Sequence, residues 1–129
     1  MLQVEVIKMK KRMIVEMGFG VDQHGHHNNP TKAAIKAIKD AISNNALPGL
    51  REILNLRDPN KMFVDILIGC PYPENIQEKK VLRAVPFGKK NLKVIKGGLL
   101  VEGIQIPELG DDSPNMIIAN AAVTVSFEL

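Results

Sequence analysis

Two stretches of different hydrophobic period lie close together near the start of the chain, and the junction between them constrains the fold most. From Arg12 to Phe19 the residues alternate, with Met13, Val15, Met17 and Phe19 on one face and Ile14, Glu16 and Gly18 on the other. Such a period of two is a strand signal. Further on, Ala34, Ile35, Ile38, Ala41 and Ile42 recur at helical spacing, while Lys32, Lys36, Lys39 and Asp40 occupy the opposite side. Asn29 suits the helix start because its side chain can accept from the unpaired amides of the first turn. Pro30 suits the first helical position, where no amide donor is needed. A strand followed by a polar, glycine-rich run and then an amphipathic helix is the opening of an α/β unit.

The rest of the chain extends that unit. The helix fades around Ser43-Asn44-Asn45, and a short helical turn enters at Pro48, with Leu47, Leu50 and Leu54 as its contacts. Met62 to Gly69 reads as a buried strand, nearly continuous in apolar residues and interrupted by Asp65. A second helix is expected over Asn75 to Ala84, stopped by Pro86. Leu92 to Ile95 is a strand, Gly97-Gly98 a turn, and Leu99 to Ile106 a strand or hairpin arm. Met116 to Leu129 is a long alternating strand with Ile117, Ala119, Ala121, Val123, Val125 and Phe127 on its apolar side. Leu2 to Ile7 also alternates and reads as a short edge strand or the start of the first ribbon.

The order is β-α-β-α-β-β, which predicts an α+β two-layer sandwich: a mixed sheet with two main helices on one face. The second face of so small a sheet is left uncovered, and burying it against identical subunits is the expected solution, a homo-oligomer. The 129 residues suit a single domain spanning 1–129.

Composition removes several classes of function. Charges at Glu5, Lys8 and Lys10-Lys11-Arg12 break every apolar stretch near the amino terminus short of a signal-peptide core or a membrane span. No membrane role is expected. The lone Cys70 forbids an intramolecular disulfide, which fits a cytoplasmic location. The formal charge is +3, but aromatics make up only 4% and lysines are mixed with acids, so no nucleic-acid partner is expected. A preference for small anionic molecules is the natural reading of that charge.

The chemistry is expected in the run Gly18 to Lys32. Gly18, Gly20 and Gly25 let backbone turn and approach a ligand closely, and the helix start seats an anion that Thr31 and Lys32 can hold. The glycine spacing is neither a dinucleotide fingerprint nor a P-loop. Asp22 and His24 are the candidate catalytic pair, a carboxylate orienting an imidazole for acid/base work. His24, His26 and His27 can also be read as ligands of a divalent transition metal, although they lack the helical spacing of a zinc protease. Each feature has a plainer alternative: a turn-capping aspartate, a hydrogen-bonded histidine, a solvated lysine. Glu16 and Asp65, inside apolar strands, are further acid/base candidates if buried. Cys70 reads as an inert buried thiol, and Tyr72, Arg83 and Asn120 as weak pocket candidates from a neighbouring subunit.

The run GFGVDQHG, followed by PTKAA and later by Ile68-Gly69-Cys70-Pro71 and Lys96-Gly97-Gly98, resembles the uncharacterised conserved-hypothetical family named after a Listeria protein. The resemblance extends from about Met13 to the carboxyl terminus and rests on Gly18, Gly20, Asp22, His24, Gly25, Thr31 and Lys32. His26 to Asn29 looks longer than the family's usual link. Membership implies a small bacterial-type protein and brings no established activity. The order of elements is also similar to small trimeric chorismate-mutase-like folds, a likeness of topology alone.

The sequence therefore points to an oligomeric protein acting on a small anionic or heterocyclic metabolite by acid/base chemistry at the 18–32 loop. A non-catalytic metal- or small-ligand-binding module using the same loop, or a purely structural oligomer, are the alternatives.

Overall fold

The computed structural model describes residues 9–129, so the Leu2–Ile7 ribbon lies outside the described residues. The fold is a mixed five-stranded sheet with its helices on one face. Strand β1 (Lys10–Asp22) is followed by α1 (Thr31–Ser43) and the one-turn α2 (Gly49–Glu52). Then come β2 (Phe63–Cys70), α3 (Glu78–Leu82), β3 (Lys89–Lys96), β4 (Leu99–Glu102) and β5 (Asn115–Glu128). The long last strand is the centre of the sheet. It pairs antiparallel with β1 on one side and with β2 on the other, while β4 pairs with its Asn115–Ile118 end. β3 lies parallel to β2 at the far edge.

The expected α+β sandwich is present, with one strand more than the expected order because the arm after Gly98 joins the sheet. That arm is shorter than expected and leaves the sheet after Glu102, where Gly103 N donates to Pro114 O at 2.7 Å. The second helix is also shorter than Asn75–Ala84. Pro73–Asn75 forms a 3-10 turn, and the Gln77 amide donates to Thr31 Oγ1 at 2.9 Å, so helix begins only at Glu78.

The core lies between the helices and one face of the sheet. Ala33, Ala37, Ile38 and Ala41 of α1 and Val81 of α3 meet Val64, Ile66 and Ile68 of β2 and the Ile117–Val123 parity of β5. The apolar side expected for β5 is the buried one. On β1 the alternation holds, but the face with the smaller and more polar residues is the buried one. Glu16, Gly20 and Asp22 are buried under α1, while Val15, Met17 and Phe19 point from the other face into solvent.

The reason is the approach of α1. Ala33, Ala37 and Ala41, four residues apart, lay a smooth ridge along β1, and Gly18 and Gly20 provide the matching groove. A Cβ on Gly18 would lie 2.5 Å from Ala37 O, and one on Gly20 2.5 Å from Ala37 N. The two glycines expected to admit a ligand instead admit a helix.

Near its Asp22 end, the free edge of β1 is partly capped by the same helix. Phe19 N donates to Asp40 Oδ2 at 3.0 Å and Lys36 Nζ donates to Val21 O at 3.0 Å, which occupies groups that an open edge would offer to another strand. At the same end of the sheet but across β5, Gly98 turns with φ 62°, where a Cβ would strike the Ile118 carbonyl oxygen. No described helix is long and apolar enough to cross a membrane.

Candidate functional site

The 23–30 connection is held from two sides. From one side comes the 104–114 loop that β4 releases. Asp111, buried there, accepts from Ile106 N at 2.7 Å through Oδ2. The same oxygen lies 2.9 Å from His24 Nδ1, and Oδ1 lies 2.8 Å from His26 Nε2. Asp112 Oδ2 accepts from His27 N at 3.1 Å and meets His27 Nδ1 at 3.1 Å. From the other side, Asn75 Nδ2 donates to Asn28 O at 3.1 Å. These clamps fix His27 and Asn28 in the left-handed region, at φ 55° and 54°. Asn29 Oδ1 accepts from Thr31 N at 3.0 Å, but helix begins only at Thr31 with Pro30 as its cap residue, so both residues sit one position earlier than expected.

Asp111 is the electrostatic centre of this cluster. Its carboxyl is held down at about 2, first by the Ile106 amide, against the opposing effect of burial, and then by His24 and His26. An ionised carboxylate only accepts, so each neutral imidazole must present it an N–H. His24 is then the Nδ1–H tautomer and His26 the Nε2–H tautomer, which leaves Nδ1 of His26 as that ring's proton acceptor.

Because the folded carboxyl titrates below its ordinary value of 3.8, its contribution to stability is complete above that value and disappears as pH falls through about 2. Asp111→Asn is therefore expected to melt below wild type at neutral pH. The gap should close between pH 3.8 and about 2, as followed by circular dichroism. A gap that stays constant down to the lower limit would show that the charge is not what holds the loop.

The residues expected at the site separate into three groups. Asp22, His26, Thr31 and Lys32 line one cavity of about 470 Å³ between the start of α1 and α3, joined by Lys36, Lys39, Gln77 and Lys80. Asp22 is buried, with Oδ1 accepting from His24 N at 3.2 Å. Thr31 Oγ1 is the acceptor that ties Gln77 down, and its own hydroxyl proton remains able to donate. Four exposed lysines and one carboxylate line the cavity, with the Lys36 ammonium donating to Val21 O.

His24 belongs to the second group. It contacts Asp22 through its main-chain amide, and its imidazole is turned to Asp111, so the expected side-chain pair of Asp22 with His24 is not formed. The third group is structural. Gly18 and Gly20 lie under α1, and a Cβ on Gly25 would press on Ile117 at 2.8 Å. The three imidazoles weighed as metal ligands are divided between Asp111 and Asp112, with the His24 and His26 rings 6.1 Å apart. Among the described residues no three His, Cys, Asp or Glu side chains are grouped to hold a metal ion.

Elsewhere, Asp65 is half-exposed and paired with Lys10 Nζ at 3.0 Å, the plain reading of that residue. Cys70 is fully buried, its thiol pushed up to about 11 by burial and by Glu74. That is the inert thiol the sequence suggested. A larger groove of about 610 Å³ near the carboxyl terminus carries Arg57, Lys61 and Lys89 but neither a histidine nor a buried carboxylate.

Sequence reasoning missed Asp111, Asp112, Gln77 and Lys80. The first two lie more than eighty residues from the histidines, and nothing local marks them. Lys36 and Lys39 were visible as a helical stripe with Lys32, whose meaning depends on α3 facing it.

A family model described as a conserved hypothetical protein, Lin0512, matches residues 12–125. The chain is also similar to an FtsZ-like protein of unknown function from Nostoc punctiforme, solved by crystallography. The two are 48% identical over 95% of this chain and 99% of that one, with a TM-score of 0.84. No curated protein matches.

Proposed function

We propose, from the premise that the chain belongs to the Lin0512 conserved hypothetical family, that it binds a small anionic metabolite in the cavity at the start of α1. The observation carrying this reading is the convergence of Lys32, Lys36, Lys39 and Lys80 around one cavity that also holds Asp22, His26 and Thr31. Its volume lies within the usual range for metabolite pockets, roughly 300–1,000 Å³. A carboxylate or phosphate fits best: the lysines supply charge, Thr31 a hydroxyl donor, and the α1 start its dipole.

Asp22 and His26 are the groups placed to exchange a proton with the bound molecule. His26 is oriented by Asp111 much as a catalytic imidazole is held by a carboxylate. His24 serves as the second brace on Asp111. A binding module without catalysis is the second reading, favoured by Asp22 Oδ1 and both imidazoles already being engaged in hydrogen bonds. The buried, unreactive Cys70 fits a cytoplasmic protein. The uncovered sheet face fits a homo-oligomer.

Pyrophosphate and citrate, titrated by calorimetry and thermal shift, test the site. A ligand at about a hundred times its Kd should stabilise the fold by about 2.7 kcal/mol. The shift should be lost in Lys32→Ala/Lys36→Ala. An unchanged shift in the double variant removes this cavity from the reading. Turnover of any bound compound, lost in Asp22→Asn with binding intact, separates enzyme from binder.

A further inference from the structure

A second cavity lies toward the other end of α1, and its chemistry is the reverse of the first. It has a volume of about 230 Å³ and walls from Leu47, Leu50, Val85, Phe87 and Val123, with the Glu16 carboxylate and Asn45 as its polar groups. Glu16 is only 5% exposed. It stands on the same face of β1 as Asp22 but six residues earlier, about 20 Å along the strand, with the glycines under α1 between them.

The carboxylate is positioned but not neutralised. Glu16 Oε2 accepts from Asn45 Nδ2 at 2.8 Å, and the same nitrogen donates to Ala41 O at 3.1 Å, which uses both amide hydrogens and locks the Asn45 rotamer. Asn45 therefore has only its oxygen left to offer. Among the described residues no lysine, arginine or histidine lines the cavity and none forms an ion pair with Glu16. The result is an apolar chamber whose polar groups accept and do not donate. A buried carboxylate facing such walls is unfavourable alone, and a cation with a hydrocarbon body satisfies both the charge and the walls.

We propose that this cavity binds a small organic ammonium ion, a primary amine carried on an apolar body of about the size of a benzene ring. The volume suffices, since a dry apolar cavity of about 150 Å³ admits benzene. The ammonium donates to Glu16 and to Asn45 Oδ1, and the ring lies among the leucines and Phe87. Phosphates and carboxylates are excluded by the same carboxylate, so the two cavities select ligands of opposite charge.

Phenethylammonium, the neutral 2-phenylethanol and the anionic phenylacetate are the probes, followed on the folded full chain by ¹⁵N chemical-shift mapping and calorimetry. Phenethylammonium should perturb residues around Glu16, Leu50 and Phe87 and bind at least about tenfold tighter than the alcohol, a difference of about 1.4 kcal/mol. Glu16→Gln should erase that preference while leaving pyrophosphate binding at the lysine cavity unchanged. Leu47→Trp, which keeps the carboxylate and fills the chamber, should weaken the amine by a similar factor, and it provides the test should Glu16→Gln fail to fold. Equal binding of amine and alcohol, a preference for phenylacetate, shifts confined to other surfaces, or amine binding unaffected by Leu47→Trp would each overturn the proposal.

Discussion

Gly20→Ala is expected to lower the melting temperature by about 10 °C, and Gly20→Val to leave little folded protein at 37 °C. A Cβ at this position would lie 2.5 Å from Ala37 N and 2.6 Å from Lys36 Cβ, where no real contact exists. One neighbour is helix backbone, so relief requires moving α1 as a body. Ala33, Ala37 and Ala41 are fully or almost fully buried at this contact, so a shift opens the core along its whole length. Overpacking of this kind destabilises by about 1–3 kcal/mol, at the upper end when backbone must give. Each kcal/mol is roughly 4 °C in a domain of this size. Valine adds two further methyls against a total stability of about 5–15 kcal/mol.

The control is Gly49→Ala. A Cβ there meets only flexible side-chain ends, Ile53 Cδ1 at 3.3 Å and Met13 Cε at 3.6 Å, and the melting curve should stay within about 0.5 kcal/mol of wild type. Thermal melts by circular dichroism decide the matter. If Gly20→Ala melts with wild type, the close approach of helix and strand is not what holds α1.

That contact also explains why the opening strand was only half legible. Its period of two was correct, and so was the helical period after Asn29. What alternation cannot say is which face is inside. An ordinary reading buries Met13, Val15, Met17 and Phe19. Here the other face is buried, because a helix bearing alanines needs glycines opposite it more than it needs large side chains. β5 was legible almost to the residue, since at the centre of the sheet its apolar face has one place to go.

The candidate site divides in the same way. Asp22, Thr31 and Lys32 reach the cavity because the strand-to-helix connection places them there whatever the rest of the fold does. The role of His24 depended on Asp111, and Asp111 reaches it only because β4 stops at Glu102 and releases the loop. Gln77 and Lys80 enter the site through the packing of α3 on α1, which no local pattern encodes.

On the proposal that the open sheet face joins copies of this chain, lysine at both Met17 and Phe19 should leave a monomer without loss of fold. The two side chains are 76% and 61% exposed on the sheet face that carries none of the described helices. Pairing registers define the surface they belong to. Met17 and Leu67 flank Ala122, while Phe19 and Gly69 flank Asn120, with Ile95 beyond Gly69. Ala122 thus lies low between Met17 and Leu67, with Lys93 beyond Leu67, while Phe19 and Leu99 add exposed apolar surface toward the Asn120–Ile118 end. Contiguous exposed apolar surface of this kind marks an association site. A second copy set against this face would need to bury roughly 800 Å² per partner to form a stable interface.

Neither side chain contributes to the core beneath α1, so substitution should move the intrinsic stability of the monomer by no more than about 0.5 kcal/mol. Two added lysines on a chain already at +3 make the same face repel its own copy. Sedimentation velocity should give a multimer for wild type and a monomer for Met17→Lys/Phe19→Lys, with circular dichroism spectra that superimpose. A wild type that sediments as a monomer across the micromolar range, or a double variant that keeps the wild-type mass, would remove the open face as the contact between copies.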